Sequence, residues 1–425
     1  MTDTDGGLPK IAYLTGEYPR ATDTFIQREV AELRKLGFSV DTFAVRRPGE
    51  EHMVGPQQRE GAATTTYLLE AARGPALLTT HVGLIGRSPS RYLRAARLAW
   101  RTKRAGVRGS LYQLFYFLEA GMLAAQLRAR SIDHLHNHFG DTSCTVAMLA
   151  AELAETPFSF TLHGPGIFFE AHTWRLDEKL RRAAFCSCIS YFARSQAAIF
   201  GGTDVTDRLH IIHCGIDPAA LPPVTHRPGP INLIFVGRVV ELKGMAVLLD
   251  ALAAVRADHP DTTLTVVGDG PDRDRFEKAA AAAGLAEAVD FVGAKSQAEV
   301  AELLGRADIF TLPSFAEGVP VVLMEAMAAG LPVVTTMVGG IAELVDHEVN
   351  GFLLRPGDPV ALTEALSTLA ADPELRARFG TAGRAKVSDE FRSAAEAARL
   401  GNLFRNTTAG LPSPIRPSAE LTTGN

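Results

Sequence analysis

Two glutamates, Glu317 and Glu325, stand eight positions apart in the stretch that runs from Pro313 through Gly318, Val319, Pro320 and Val321 to Gly330, Leu331 and Pro332. Two cations, Arg238 and Lys243, bracket a second short stretch between Gly237 and Gly244. A guanidinium holds a phosphate as a planar fork and an ammonium holds it as a point charge, so the pair suits a phosphate group. An ionised carboxylate only accepts hydrogen bonds, so beside an anion site it selects a ligand that carries hydroxyls as well as phosphate. A nucleotide sugar fits that description.

Secondary structure must place these residues. Ile309–Leu312 reads as a buried strand, Gly318 and Pro320 open a helix, and Gly330 closes it. Glu317 then lies in a strand-to-helix loop and Glu325 about two turns into the helix. Residues 231–236 read as another strand, followed by the Arg238 and Lys243 loop and a helix from Met245. In an open α/β sheet such loops sit at the carboxyl ends of the strands, where ligands bind, and a helix N-terminus offers backbone N–H groups to an anion.

Four motifs run through this half of the chain: G-R-x4-K-G at 237–244, V-V-G-D-G-P at 266–271, P-S-x2-E-G-x-P-x4-E-A-M-A-x-G-x-P-V-V at 313–334 and N-G-F-L at 350–353. In these motifs and their order the chain resembles the GT-B glycosyltransferases of family 4. The resemblance covers nearly the whole chain and is strongest from about 230 to 358. It implies an α/β protein of GT-B architecture, with two Rossmann-like doubly wound domains facing a central cleft. By the same resemblance Arg238 and Lys243 hold the donor diphosphate, Glu325 binds the ribose hydroxyls and Glu317 lies by the donor sugar. The helix that follows Gly318 adds its N-terminus. The resemblance gives the Gly268 loop a supporting role near the nucleotide, although its G-x-G pattern taken alone is better explained by a tight turn than by a phosphate cradle. Gly293 and Ala294 contact the base through backbone groups. Thr161-Leu162-His163-Gly164 resembles the family's T-x-H-G pattern, which puts His163 beside the donor sugar as a hydrogen-bonding partner of a hydroxyl. The implied catalytic set is His163, Glu317, Arg238 and Lys243. The implied enzyme is a retaining hexosyltransferase with a nucleoside diphosphate sugar as donor substrate, no further cofactor and no metal.

The amino-terminal half has the same alternation. Residues 10–15 read as a strand, 24–36 as a helix stopped by Gly37, and 39–44 as a second strand. Helices over 112–129 and 142–152 and strands over 132–136 and 158–162 continue it. Strands over 231–236, 263–267, 289–292, 308–312 and 332–336 repeat it. The expected organisation is an acceptor-side domain over 1–213 with a basic insertion at about 71–118, a proline-rich linker over 214–230 and a nucleotide-sugar domain over 231–383. A last helix over 384–405 crosses back, as in family members, and residues 1–8 and the tail 406–425 are disordered.

After the first strand many family members carry paired glycines, where this chain has Gly16, Glu17, Tyr18 and Pro19 leading to Thr24. That variant, with His134-Leu135-His136-Asn137-His138-Phe139, resembles the branch that builds bacterial exopolysaccharides such as colanic acid. It implies a glycan or lipid-linked glycan acceptor. Gly16, Thr24 and His138 are candidates for an acceptor or phosphate loop. Thr24 has two readings, an N-cap for its own helix or a hydroxyl and N–H for a phosphate. His134, His136 and His138 alternate and so share one face, but no carboxylate or cysteine stands at ligand spacing, and no metal site is assigned.

Residues 71–118 contain no Asp or Glu but carry Arg73, Arg87, Arg91, Arg94, Arg97, Arg101, Lys103, Arg104 and Arg108, interleaved with Tyr92, Leu93, Leu98 and Trp100. Two readings stay open, a basic surface over 87–108 that meets anionic lipid, and a solvated helix whose arginine stems cover apolar core. A net charge of −5 argues against a nucleic-acid partner. Cys144, Cys186, Cys188 and Cys214 read as buried and reduced. With no apolar run near the roughly 18 residues of a membrane span and no amino-terminal signal, the expected place is the cytoplasm, peripheral at the inner face of the membrane if the basic segment binds lipid. The competing functions are a nucleotide-sugar epimerase, a non-catalytic nucleotide-binding subunit, and transfer to a small soluble metabolite.

Overall fold

Short apolar runs flanked by glycine or proline fold as strands buried on both faces. In the computed structural model, which describes residues 7–72, 74–224 and 229–412, such runs build two separate parallel sheets. The chain divides into one compact unit of Met1–His213 with Ala394–Asn425, and a second of Cys214–Ser393.

The first unit's seven-stranded sheet contains β1 (Ile11–Glu17), β2 (Val40–Arg46), β3 (Thr66–Tyr67), β4 (His134–His138), β5 (Phe158–Leu162), β6 (Phe185–Cys188) and β7 (Leu209–Ile211), in the order β3-β2-β1-β4-β5-β6-β7. The second unit's six-stranded sheet contains β8 (Asn232–Val236), β9 (Thr263–Val267), β10 (Val289–Gly293), β11 (Ile309–Leu312), β12 (Val333–Thr336) and β13 (Gly351–Leu354), in the order β10-β9-β8-β11-β12-β13. Both sheets are doubly wound, as expected. Strand order reverses between β1 and β4 and between β8 and β11, and loops at the carboxyl ends beside such a reversal form a crevice.

Side-chain alternation along β1 divides the first unit's core. Ala12 and Leu14 face the helices Gly106–Ala129 and Thr142–Ala154, whereas Ile11 and Tyr13 face Ile26, Val30 and Leu33 of the helix Thr24–Lys35. The chain's last helix, Ser393–Thr408, completes that second face with Ala397, Leu400, Leu403 and Phe404.

Several expectations need correction. The helix after β11 begins at Val321, so Gly318, Val319 and Pro320 lie in the loop and Glu325 opens the second turn. Gly16 belongs to β1 and not to a loop. The helix after β1 has Asp23 at its N-cap position and Thr24 as its first residue, which removes the capping reading of Thr24. The returning helix starts at Ser393; residues 384–390 belong to the preceding helix Pro373–Glu390, in the second unit. Residues 406–408, expected to be disordered, are helical, and the expected disorder over 413–425 falls outside the described residues, as do 1–6, Arg73 and Pro228. The basic segment is part of the fold: helices Ala76–Arg87 and Pro89–Thr102 bury Leu84, Ala95, Leu98 and Ala99, and the next helix starts at Gly106, not 112. Strands β3, β6, β7 and β13 are additions to the expected set. The four cysteines are free and buried. No helix among the described residues is long and apolar enough to cross a membrane.

Candidate active site

The loop after β8 is clamped between two neighbours. A Cβ on Gly244, at φ +75°, would lie 2.0 Å from the carbonyl oxygen of Pro313 after β11, and one on Gly268, at φ +133°, would lie 2.0 Å from the carbonyl oxygen of Gly237. Both the left-handed backbone and the close approach require glycine. Backbone bonds complete the clamp: Phe315 N–H donates to Leu242 at 2.8 Å, and Gly268 N–H donates to Gly293, the last residue of β10, at 2.9 Å. Ala294 follows directly.

Within this frame Lys243 Nζ lies 2.6 Å from Glu317 Oε1, and the Ser314 hydroxyl donates to the same oxygen at 2.6 Å. Glu317 is buried and Lys243 partly so. Arg238 is exposed and has no ion-pair partner among the described residues. The crevice at the β8/β11 reversal thus holds one cation committed to a carboxylate and one uncommitted, beside the N-terminus of the helix Val321–Ala329. Glu325 stands on that helix, partly exposed.

In the first unit, β4 is a polar strand in a buried sheet, with His134, His136, Asn137 and His138 at 0% exposure. Pairing with β5 sets His136 against Ser159 and His138 against Thr161. Ser159 Oγ meets His134 Nε2 and His136 Nδ1, each at 2.7 Å, and Thr161 Oγ1 meets His136 Nε2 at 2.9 Å. His138 Nδ1 is 2.7 Å from His163 Nε2. On its other side, His138 Nε2 lies 3.3 Å from Glu29 Oε1, close enough for electrostatic attraction but without the alignment of a hydrogen bond. The Tyr13 hydroxyl donates to that same Glu29 oxygen at 2.6 Å. Desolvation pushes His134 down to about 3. It also holds His136 and His163 well below the ordinary histidine value, with neighbouring imidazoles adding to the effect.

His163 ends the row, partly exposed, its ring packed 4.5 Å from that of Phe25, 4.9 Å from Phe139 and 5.0 Å from His138. His138, a candidate for the acceptor or phosphate loop, is instead the last residue of β4 and fully buried beneath His163. Lys179, also fully buried, donates to the carbonyl oxygens of Gly140 at 2.8 Å and Asp141 at 2.7 Å, which anchors the turn after β4. Its burial lowers it to about 8.

Sequence reasoning missed Glu29, Tyr13, Ser159 and Lys179. Only the regular alternation of β4 and β5 could have paired the histidines with Ser159 and Thr161; nothing in the local sequence marks Glu29 or Lys179. Glu29 does bring a carboxylate to the histidine row, and its ligand atom and those of His136 and His138 lie within 4.8 Å of one another. A metal fits poorly there, because both His136 nitrogens already meet hydroxyls and Glu29 already accepts from Tyr13.

These loops and this fold define a class. Residues 23–220 match the family model described as Glycosyltransferase Family 4, and residues 220–386 match that described as Glycosyl transferases group 1. The chain belongs to the GT-B glycosyltransferases. It is 27% identical over 418 residues to the amylovoran biosynthesis glycosyltransferase AmsK of Erwinia amylovora, covering 90% of this chain and 96% of that protein. It is 27% identical over 404 residues to WcaL of Escherichia coli K12, a glycosyltransferase assigned to colanic acid biosynthesis, with 90% and 96% covered. The fold is shared with sucrose-phosphate synthase from Thermosynechococcus elongatus, at TM-score 0.72 and 21% identity over 94% of this chain and 100% of that one. It is shared also with Anabaena Alr3699/HepE, solved with UDP-glucose, at TM-score 0.69 and 20% identity over 95% and 100%.

Proposed function

We propose that this glycosyltransferase moves a hexosyl unit from a nucleoside diphosphate sugar to a sugar hydroxyl, with retention at the anomeric carbon, on a glycan or lipid-linked intermediate of a surface polysaccharide. The reading rests on the Lys243, Glu317 and Ser314 cluster beside the uncommitted Arg238 at the β8/β11 reversal. The near full-length similarity to AmsK and WcaL supports the class of acceptor. Arg238 and Lys243 take the diphosphate, Glu325 the ribose hydroxyls, and Glu317 and His163 the donor sugar. Gly268, Gly293, Ala294 and the run Gly318, Val319, Pro320 and Val321 line the nucleotide.

The bond from the anomeric carbon to the β-phosphate oxygen breaks, and the acceptor oxygen bonds to the same face of that carbon. The acceptor's proton passes to the departing diphosphate. Charge grows on that diphosphate as the bond breaks, so two cations and a helix N-terminus held beforehand by the glycine clamps lower the barrier without a metal.

The acceptor meets the enzyme at an anionic membrane surface. Leu78, Val82, Leu93, Trp100, Val107, Leu111, Leu114 and Phe115 are exposed on the three helices between residues 76 and 118. Arg87, Arg97, Arg101 and Arg108 are exposed among them, whereas Arg91 and Arg94 pair with Glu155 and Glu152 of the neighbouring segment. Apolar side chains that can enter the headgroup layer, beside cations that attract it, are the composition of an interfacial surface.

The deciding experiment incubates the pure protein with UDP-, GDP- and ADP-sugars, with and without glycan acceptors, and follows nucleotide release, thermal shift and product anomer by proton NMR. Acceptor-dependent release with the donor's anomeric configuration retained is expected. Conversion of the donor alone into an epimer would mean an epimerase, and stabilisation by a nucleotide sugar without turnover of any would mean a binding subunit.

A further inference from the structure

The histidine row has a direction. The Glu29 carboxylate is a hydrogen-bond acceptor, and it already accepts from the Tyr13 hydroxyl at 2.6 Å. An imidazole nitrogen 3.3 Å from that carboxylate is favoured in its N–H form, since a lone pair there would face negative charge in a buried setting. A neutral His138 with its proton on Nε2 has Nδ1 as an acceptor. The 2.7 Å contact to His163 then requires the proton on His163 Nε2, which leaves His163 Nδ1 as the lone-pair nitrogen.

We propose that Glu29 is a positioning residue which, through His138, fixes His163 as an Nε2–H tautomer, so that its Nδ1 accepts a hydrogen bond from a sugar hydroxyl. The functional half rests on the reading of His163 as a partner of the donor sugar; the tautomer half stands on the contacts within the first unit. The packing agrees with a fixed ring. Phe25, Phe139 and His138 hold the His163 imidazole on several sides, and the neutral form is the one that burial favours. Tyr13 and Glu29 come from β1 and from the helix that follows it, and both histidines lie at the carboxyl ends of β4 and β5. The polarity of the site is thus set by the β1/β4 reversal.

The test is the nitrogen-15 spectrum of histidine-labelled, full-length protein at neutral pH, assigned with His138→Gln and His163→Asn. In the wild type, His163 should show a protonated Nε2 and an unprotonated Nδ1; the opposite pattern overturns the proposal and needs no variant. Glu29→Gln replaces an acceptor with a group that can donate, and should shift His163 towards the Nδ1–H form. It should also lower turnover of a nucleotide-sugar donor by about tenfold, the worth of one hydrogen bond. Tyr13→Phe disturbs the same cluster but keeps the carboxylate, so the His163 tautomer should stay. An unchanged tautomer in Glu29→Gln, or an equal shift in Tyr13→Phe, would overturn the relay. If His163→Asn turns the donor over as well as wild type, the role of His163 towards the sugar fails, and the spectrum judges the relay separately.

Discussion

Arg238 and Lys243 carry the same charge, yet they sit in different circumstances and should fail differently. Arg238→Ala removes an exposed side chain, so it should cost roughly 2–4 kcal/mol in kcat/KM and leave Tm unchanged. Lys243→Ala also leaves the buried Glu317 carboxylate with Ser314 alone, so it should lower both activity and Tm. Equal Tm in the two variants, measured by calorimetry, would remove the structural part of the Lys243 role. Glu325→Gln should weaken binding of the free nucleoside diphosphate, and Glu317→Gln should depress turnover of the intact sugar donor more than nucleotide affinity; titration calorimetry showing the reverse would exchange the roles. The sequence brings these four residues into view through their types and the loops they occupy. It does not contain the bond between Lys243 and Glu317, which are 74 positions apart and meet because β8 and β11 pair. Glu29 is less legible still. A glutamate on an amphipathic helix looks solvated until the fold lays β4 beneath it.

The elements were more legible than their ends. Apolar runs mark nine of the thirteen parallel strands; β6 and the short edges β3, β7 and β13, which are two to four residues long, carry too little pattern to be read. The helix after β11 starts later than expected because Pro320 occupies its N-cap in an extended conformation, a place a G-x-P sequence does not distinguish from the first helical turn. Gly244→Ala tests the loops as a unit. A methyl group 2.0 Å from the Pro313 carbonyl must push two loops apart, and donor affinity should fall together with stability, by about 1–3 kcal/mol. A variant with wild-type affinity and Tm would show the clamp to be slack. The basic helices make a prediction of their own. Arg97→Glu with Arg101→Glu, which spares the Arg94 pair with Glu152, should weaken salt-sensitive binding to phosphatidylglycerol vesicles, since each cation near such a surface contributes about 1 kcal/mol. Equal sedimentation of variant and wild type would assign the helices to solvent.

Across the molecule, acid should affect the two units unequally. The first unit buries His134 and His136 fully and His163 in part, all with depressed folded-state values, so the unfolded chain binds more protons once pH falls below the unfolded value near 6.5. Their contribution is complete above about pH 6.5 and is lost as pH falls, at roughly 1.4 kcal/mol per pH unit for each fully buried histidine, until the folded value is reached, about 3 for His134. Hydrogen exchange between pH 7 and pH 5 should therefore show amides around 134–163 opening before those around 309–334; the reverse order would contradict the linkage. The last helix bears on something else, the order in which the chain is made. Phe404 packs on Tyr13, His134 and Phe185, so the unit that is started first is finished last. A ribosome releases the second unit, residues 214–393, while the first still lacks one wall of its core. The early sheet must wait, with an apolar face uncovered, through the synthesis of its younger neighbour, and a released chain truncated after residue 392 should expose β1 and β4 to protease or chaperone while β8 and β11 stay protected.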